Sequence, residues 1–231
     1  MNRSILHPRR MRLSLVVAVL LGLAVLALSA RQPAGAQTPA HSHAVPAGAE
    51  TTAGELAFRN QMRTLWEQHV GWTRLAIVSF AGDLPDLAAT QQRLLRNQAD
   101  IGKAIAPFYG PEAGARLTWM LRQHIVIAVA ILTDAKSGNS DALAHDLKRW
   151  DRNANRIASF LHGANPANWP LREMRQMMHR HLRLTTQEAV AQLTGDYPAS
   201  VRAYDGAERE ILAMADMLSV GIVLQFPDRF E

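Results

Sequence analysis

Cysteine is missing from the whole 231-residue sequence. Its absence excludes disulfide bonds, thiolate metal ligands, thiol catalysis and a lipid-modified N-terminal cysteine. Any folded domain must therefore be held together by its apolar core. The stretch of about 178 residues from Gly54 onward is long enough to bury such a core.

Several sequence signatures of enzymes and nucleic-acid-binding proteins are also missing. Aromatic residues make up only 6% of the chain, and no basic run interleaved with aromatics occurs after residue 36, so nothing indicates nucleic-acid binding. There is no phosphate-binding loop, no dinucleotide-binding glycine motif, no Gly-x-Ser-x-Gly elbow and no His-Glu-x-x-His zinc motif. No reaction can be read from such motifs.

Acidic residues are absent from the first 36 residues, whereas basic ones are frequent there. An almost wholly apolar run covers residues 13–30, and small residues follow it at Ala34-Gly35-Ala36. This pattern predicts a signal peptide over residues 1–36 and an exported protein, periplasmic or extracellular, with no membrane contact after cleavage. The alternative is a retained membrane anchor, since 18 apolar residues lie at the lower limit for spanning a bilayer. The basic residues of this segment are Arg3, Arg9, Arg10, Arg12 and Arg31.

Removal of this segment changes the charge balance. The 25 basic residues fall to 20, which equals the 20 acidic ones, so the basic character of the whole chain indicates no nucleic-acid or anionic-lipid partner. Residues 37–53 are rich in alanine, proline and histidine and lack periodicity, which predicts a flexible linker. Residues 54–231 are predicted to form one helical bundle domain.

A histidine recurs three times in a similar phrase, at His69, His124 and His181, with intervals of 55 and 57 residues. In each phrase two apolar residues stand four and three positions before the histidine. Asn97 and Asn153 follow the first two histidines by 28 and 29 residues, and Glu208 follows the third by 27. A fixed period of this length predicts repeated αα-hairpins of about 56 residues each.

Apolar residues at helical spacing predict six helices separated by glycine- and proline-containing turns. The first helix is expected from about Gly54 to Ala81, and the third from about Glu112 to Lys136. Because the loops are short, consecutive helices should be antiparallel neighbours. The sequence therefore predicts an all-α fold, an up-and-down bundle of six helices built from three αα-hairpin repeats of about 56 residues.

Each repeated histidine lies near the middle of its helix and on its apolar stripe, so the bundle should contain one buried polar layer. We expect this layer to bind a metal ion or a small polar ligand, since nitrogen and oxygen ligands without cysteine favour zinc, copper or iron. The metal ligands would be His69, His124, His181 and Glu208. Polar residues around the ion or ligand would be Asn97, Asn153, Thr185 and Glu188.

Two other interpretations remain open. In the first, each histidine only hydrogen-bonds a polar group on a neighbouring helix, and the protein is a non-catalytic structural or interaction module. In the second, a metal-bound water with Glu188 or Glu208 as the base would make the protein a hydrolase.

Four phrases of the chain resemble a family of uncharacterised bacterial all-helical proteins. Members of this family are sometimes labelled glycosyltransferase or acetylglutamate kinase, but this sequence has neither a doubly wound α/β pattern nor a nucleotide loop. The resemblance therefore implies an all-α fold and no particular activity. The phrases are Glu67 to Arg74, His181 to Ala189, Met214 to Met217 and Gln225 to Phe230.

Overall fold

The computed structural model describes residues 51–231 and shows an all-helical domain. The predicted signal peptide and the predicted linker as far as residue 50 lie outside the described residues. Within residues 51–231 there are six α-helices, one short 3-10 helix at Pro227–Arg229 and no strand. The α-helices are α1 (Ala53–Ala81), α2 (Leu87–Tyr109), α3 (Pro111–Ser137), α4 (Ser140–Ala164), α5 (Leu171–Thr194) and α6 (Tyr197–Gln225).

Local sequence explains where several helices start and stop. Thr52 and Glu55 form a capping box at the start of α1, in which the Thr52 hydroxyl accepts from the Glu55 backbone N–H. Thr52 and Ala53, which the sequence assigned to the linker, are thus part of the bundle. At the ends of α3 and α5, Gly138 and Gly195 have φ of 79° and 80°, a left-handed conformation that suits glycine.

The six helices form a closed ring. Each helix packs against the next one along the chain, and α6 packs against α1. A hydrogen bond of 2.6 Å from the Thr52 hydroxyl to the Phe230 carbonyl also joins the two ends of the domain. Helix α5 additionally contacts α1, which brings two of the histidine-bearing helices together inside the ring.

Helices α2 and α3 approach each other most closely at two glycines. A Cβ atom on Gly102 would lie 2.5 Å from the Gly114 carbonyl oxygen, and one on Gly114 would lie 2.6 Å from the Gly102 carbonyl oxygen. Real Cβ atoms do not tolerate such distances, so the backbones can touch here only because both residues lack a side chain.

The core is a single large cluster of buried apolar side chains, contributed by all six α-helices and joined by Phe230 from the C-terminal end. Buried polar side chains interrupt it near the middle, and they include the three repeated histidines. Fully buried apolar members are Met62, Ile101, Leu117, Leu143, Ile157, Ile211, Met214 and Ile222.

Among the described helices, α3 alone is long and apolar enough to cross a membrane by length and composition. In its most apolar 18-residue window, 44% of the residues are buried inside the domain. The helix packs against both α2 and α4. Its apolar composition is therefore accounted for by packing within the bundle.

Candidate functional site

The three repeated histidines meet inside the bundle. His69 on α1, His124 on α3 and His181 on α5 are all buried, each with 3% exposure or less. The ring centroid of His181 is 5.4 Å from that of His69 and 6.1 Å from that of His124. His181 therefore contacts both of the other imidazoles, and the three rings form one polar layer.

His124 is held in one tautomer by Asn153 on α4. The Asn153 amide nitrogen donates to the Met120 carbonyl at 3.1 Å, and a carbonyl only accepts, so the amide oxygen must face His124. His124 Nδ1 lies 2.8 Å from this oxygen and must carry the proton. His124 Nε2 is then a bare acceptor, and it is buried without a hydrogen-bond partner among residues 51–231.

His69 is contacted in the same way from α2, but by a different residue. Gln98 Nε2 lies 3.2 Å from His69 Nδ1 and also donates to the carbonyl of Leu94 and to Asn97 Oδ1. Asn97 does not contact His69, because its own amide nitrogen donates to the Leu65 carbonyl at 2.9 Å. The Gln98 amide oxygen is buried and unpaired within the described part of the chain.

His181 is paired with a carboxylic acid on α6. Its Nδ1 lies 3.8 Å from Glu210 Oε2, which is too long for a hydrogen bond. Both side chains are almost completely buried, at 4% exposure each. In residues 51–231 neither His181 Nδ1 nor either Glu210 oxygen has a hydrogen-bond partner.

The residues that face the histidines follow them by a constant interval. Gln98, Asn153 and Glu210 each stand 29 residues after their histidine. The sequence analysis instead selected Asn97 and Glu208, which lie one and two positions away. The structure places Glu208 half-buried on another side of α6, where it accepts from the Tyr204 hydroxyl at 3.4 Å. The constant interval is the signal that would have identified Gln98 and Glu210.

Glu188 and Thr185, the two other residues selected from the sequence, lie further along α5. Glu188 is buried and forms an ion pair of 2.9 Å with Arg74 of α1, whose guanidinium also stacks on Tyr204. Glu188 therefore joins α1, α5 and α6 and has no recorded bond to a histidine. Thr185 is buried one turn beyond His181 and lines an apolar cavity.

Burial keeps the histidine layer uncharged. Desolvation, reinforced by His124, lowers the pKa of His69 to about 3, and desolvation lowers the pKa of His124 to about 4 against the opposing bond to Asn153. The pKa of His181 is also held well below 6.5 by burial and then by the two neighbouring imidazoles. At neutral pH all three rings are therefore neutral, which is the form that binds metals.

Glu210 is shifted in the opposite direction. Burial raises the pKa of its carboxyl to about 7, although Arg180 and Arg183 oppose the shift. A salt bridge to His181 would require a charged imidazole and a charged carboxylate, and burial disfavours both. The pair is therefore held as a neutral imidazole beside a carboxyl group that titrates near neutrality.

The layer is close to the dimensions of a metal site but does not have its orientation. Two imidazoles bound to one tetrahedral ion at about 2.1 Å would have ring centroids roughly 5.3 Å apart, compared with the observed 5.4 and 6.1 Å. The planes of His124 and His181, however, are only 28° apart, so the two rings stack. Within residues 51–231 no group of three or more histidine, aspartate or glutamate side chains is arranged to hold a metal ion.

An apolar cavity of about 50 Å³ lies on the C-terminal side of the layer. Its wall includes the residue four positions after each histidine, namely Thr73, Ala128 and Thr185. Four residues are about one helical turn, or roughly 6 Å along the axis, so the cavity and the layer are direct neighbours.

Comparison of the chain with protein-family models, with curated proteins and with solved structures found no match to any of them.

Proposed function

We propose that this is an exported protein whose helical bundle binds a transition-metal ion in the layer of His69, His124, His181 and Glu210. Export is supported by the basic and then apolar segment at residues 1–36 and by the absence of cysteine. A small polar ligand is the broader alternative. A cation is favoured because several of the orphaned atoms in the layer are acceptors.

We also propose that the domain consists of three αα-hairpins of about 56 residues in an up-and-down arrangement. The support is the constant interval of 29 residues between each histidine and the side chain facing it from the next helix. Two of these hairpins share a second contact. In both, an asparagine amide donates to the carbonyl four residues before the histidine, from Asn97 to Leu65 and from Asn153 to Met120.

The state of His124 is the observation that carries the metal proposal. Metal-binding histidines usually donate their second ring nitrogen to an oxygen, which fixes the tautomer and the orientation of the ring. His124 does this with Asn153, and its Nε2 is a buried lone pair without a partner in the described chain. Leaving such an acceptor unpaired in the interior costs about 1–3 kcal/mol, which a bound ion would remove.

Glu210 and His181 supply the other donors in this proposal. Both Glu210 oxygens and His181 Nδ1 are buried and unpaired in the described domain. Binding requires the rings of His124 and His181 to turn out of their stacked orientation towards a common ion. Since the carboxyl group has a pKa of about 7 and must ionise to bind, the ion should be held more weakly below neutral pH.

Metal analysis of protein purified without a histidine tag tests the proposal. We expect one zinc, copper or iron ion per chain, and a loss of affinity of roughly 100-fold or more in His124→Ala and His181→Ala. His145→Ala is the matched control, because the His145 side chain is 67% exposed and lies outside the layer. Circular dichroism would establish that the variants remain helical.

The proposal fails if stoichiometric metal is absent and none of the three ions raises the melting temperature, since any ion that binds only the folded chain must raise it. A loss of metal in His145→Ala equal to that in His124→Ala would also contradict it.

A purely structural layer is the second candidate. It is favoured by the stacking of His124 on His181 and by the absence of a three-residue metal group in residues 51–231. In this case the bonds from Asn153 to α3 and from Gln98 to His69 serve to fix which helix faces meet. The same metal analysis separates the two candidates, because a structural layer would contain no ion.

A further inference from the structure

The apolar cavity next to the histidine layer has a composition unlike that of an ordinary polar ligand pocket. It is walled by residues of α1 to α5, with α1, α3 and α5 contributing most of the surface. Alanine occupies four wall positions, Ala76, Ala128, Ala135 and Ala189. The cavity exists because these short side chains do not fill the space between three helices that diverge around the bundle axis.

The cavity offers almost nothing that could hold water. The hydroxyl of Thr73 donates to the His69 carbonyl at 2.7 Å, and that of Thr186 donates to the Leu182 carbonyl at 2.8 Å. Both hydroxyls are thus used within their own helices. A buried water needs two to four polar partners, so an apolar cavity of this kind stays dry or takes an apolar guest.

The volume limits the size of the guest. A cavity of about 50 Å³ exceeds the roughly 30 Å³ that one water molecule occupies in the liquid, but it is far below the cavity of about 150 Å³ that accepts benzene. The wall residues Ala128, Val129 and Val190 are half-buried, which leaves the cavity unsealed. A guest must therefore be small, uncharged and apolar, of the size of a diatomic gas.

We propose that this cavity is a binding site for a small apolar molecule of diatomic-gas size, placed one helical turn from the three imidazoles. The site is independent of metal binding, because none of its wall residues belongs to the proposed ligand set. Its position gives such a molecule direct access to the histidine layer from the C-terminal side of His69, His124 and His181.

Xenon is the probe of choice, because it is apolar, inert and of suitable size. In chelator-treated protein under xenon pressure, we expect saturable shifts of the methyl resonances of Ala128 and Ala189. The methyl of Ala115, which is exposed on the same helix α3, should change only linearly and weakly. Benzene should produce no saturable shift.

Filling the cavity should abolish the effect. Ala128→Val and, separately, Ala189→Val each add two methyl groups to the wall, and each should remove the saturable shift at the remaining alanine. Ala115→Val is the matched control and should leave it intact. Absence of saturable shifts in the wild type, persistence in both filled variants, or saturable binding of benzene would overturn the proposal. Since the protein is free of metal in this test, none of these results bears on the metal proposal.

Discussion

At the scale of single residues, the side chain 29 positions after each histidine determines what that histidine can do. Asn153 is of the right length to accept from His124 and to donate to the Met120 carbonyl at the same time. In the first hairpin, Asn97 and Gln98 divide these two tasks. Glu210 cannot donate an amide hydrogen, so in the third position neither contact is made. The three histidines therefore occupy chemically different surroundings despite their repeated phrase.

Replacement of Asn153 by alanine should strongly destabilise the domain. It leaves the Nδ1 hydrogen of His124 and the Met120 carbonyl buried without partners, which we expect to lower the free energy of unfolding by about 2–4 kcal/mol. Urea denaturation would measure the loss. Asn60→Ala is the control, because Asn60 is exposed on α1, and it should change stability by less than about 0.5 kcal/mol. Equal effects of the two replacements would contradict the role assigned to Asn153.

The sequence indicated which histidines lie inside but not all of their partners. Apolar stripes and the repeated phrase pointed to His69, His124, His181 and Asn153, and the structure buries all four. The partners of the outer two histidines were missed because the comparison followed residue type, asparagine, and not a constant interval. Two positions along a helix turn a side chain by roughly 200°, so the choice of Glu208 over Glu210 selected the wrong face of α6.

At the scale of helices, the contact between α2 and α3 depends on the absence of two side chains. Turn residues located the helix ends well: α1 was expected to begin at Gly54 and begins at Ala53, and it ends at Ala81 as expected. Periodicity, however, predicts only which face turns inward, not how near two backbones come. The touching of Gly102 and Gly114 was for this reason not predictable from the pattern.

Gly102→Ala should separate the two helices. The new methyl group would overlap the Gly114 carbonyl, and overpacking of this kind costs about 1–3 kcal/mol, occasionally more. Gly71→Ala on α1 is the matched control, since a Cβ there meets nothing within 4 Å. It should stabilise the protein by about 0.5–1 kcal/mol through helix propensity. Thermal unfolding of the two variants should thus move in opposite directions, and a stable Gly102→Ala would refute the close contact.

At the scale of the whole molecule, buried histidines and buried carboxyl groups make opposing contributions to stability as pH changes. The histidines have folded pKa values below their ordinary 6.5, so the stability they permit is present above pH 6.5 and is lost as pH falls. Glu188 and Glu210 have folded pKa values of about 7, above 4.5, so their contribution is present below pH 4.5 and is lost as pH rises through 7.

Three histidines outweigh two carboxyl groups below pH 6.5, and only the carboxyl groups act just above it. In chelator-treated protein, the free energy of unfolding should therefore be greatest near pH 6.5 and fall most steeply below about pH 4.5. Glu210→Gln removes one of the opposing groups. Its advantage over the wild type should grow by roughly 2–3 kcal/mol between pH 5 and pH 8.

Urea titrations at a series of pH values would check this dependence. Glu67→Gln, at an exposed position of α1, is the control and should follow the wild type at every pH. A wild type whose stability rises steadily to pH 8, or a Glu210→Gln variant parallel to it, would show that Glu210 ionises freely in the folded protein.

The bond between Thr52 and Phe230 makes the order of the six helices partly a matter of convention. Because α6 closes against α1 as each other helix closes against its successor, the covalent break in the ring could in principle stand at another loop, such as the one at Gly138 between α3 and α4, with a short linker joining the present ends. The three-dimensional neighbours of every histidine would be unchanged, so what the fold encodes is a cycle of contacts.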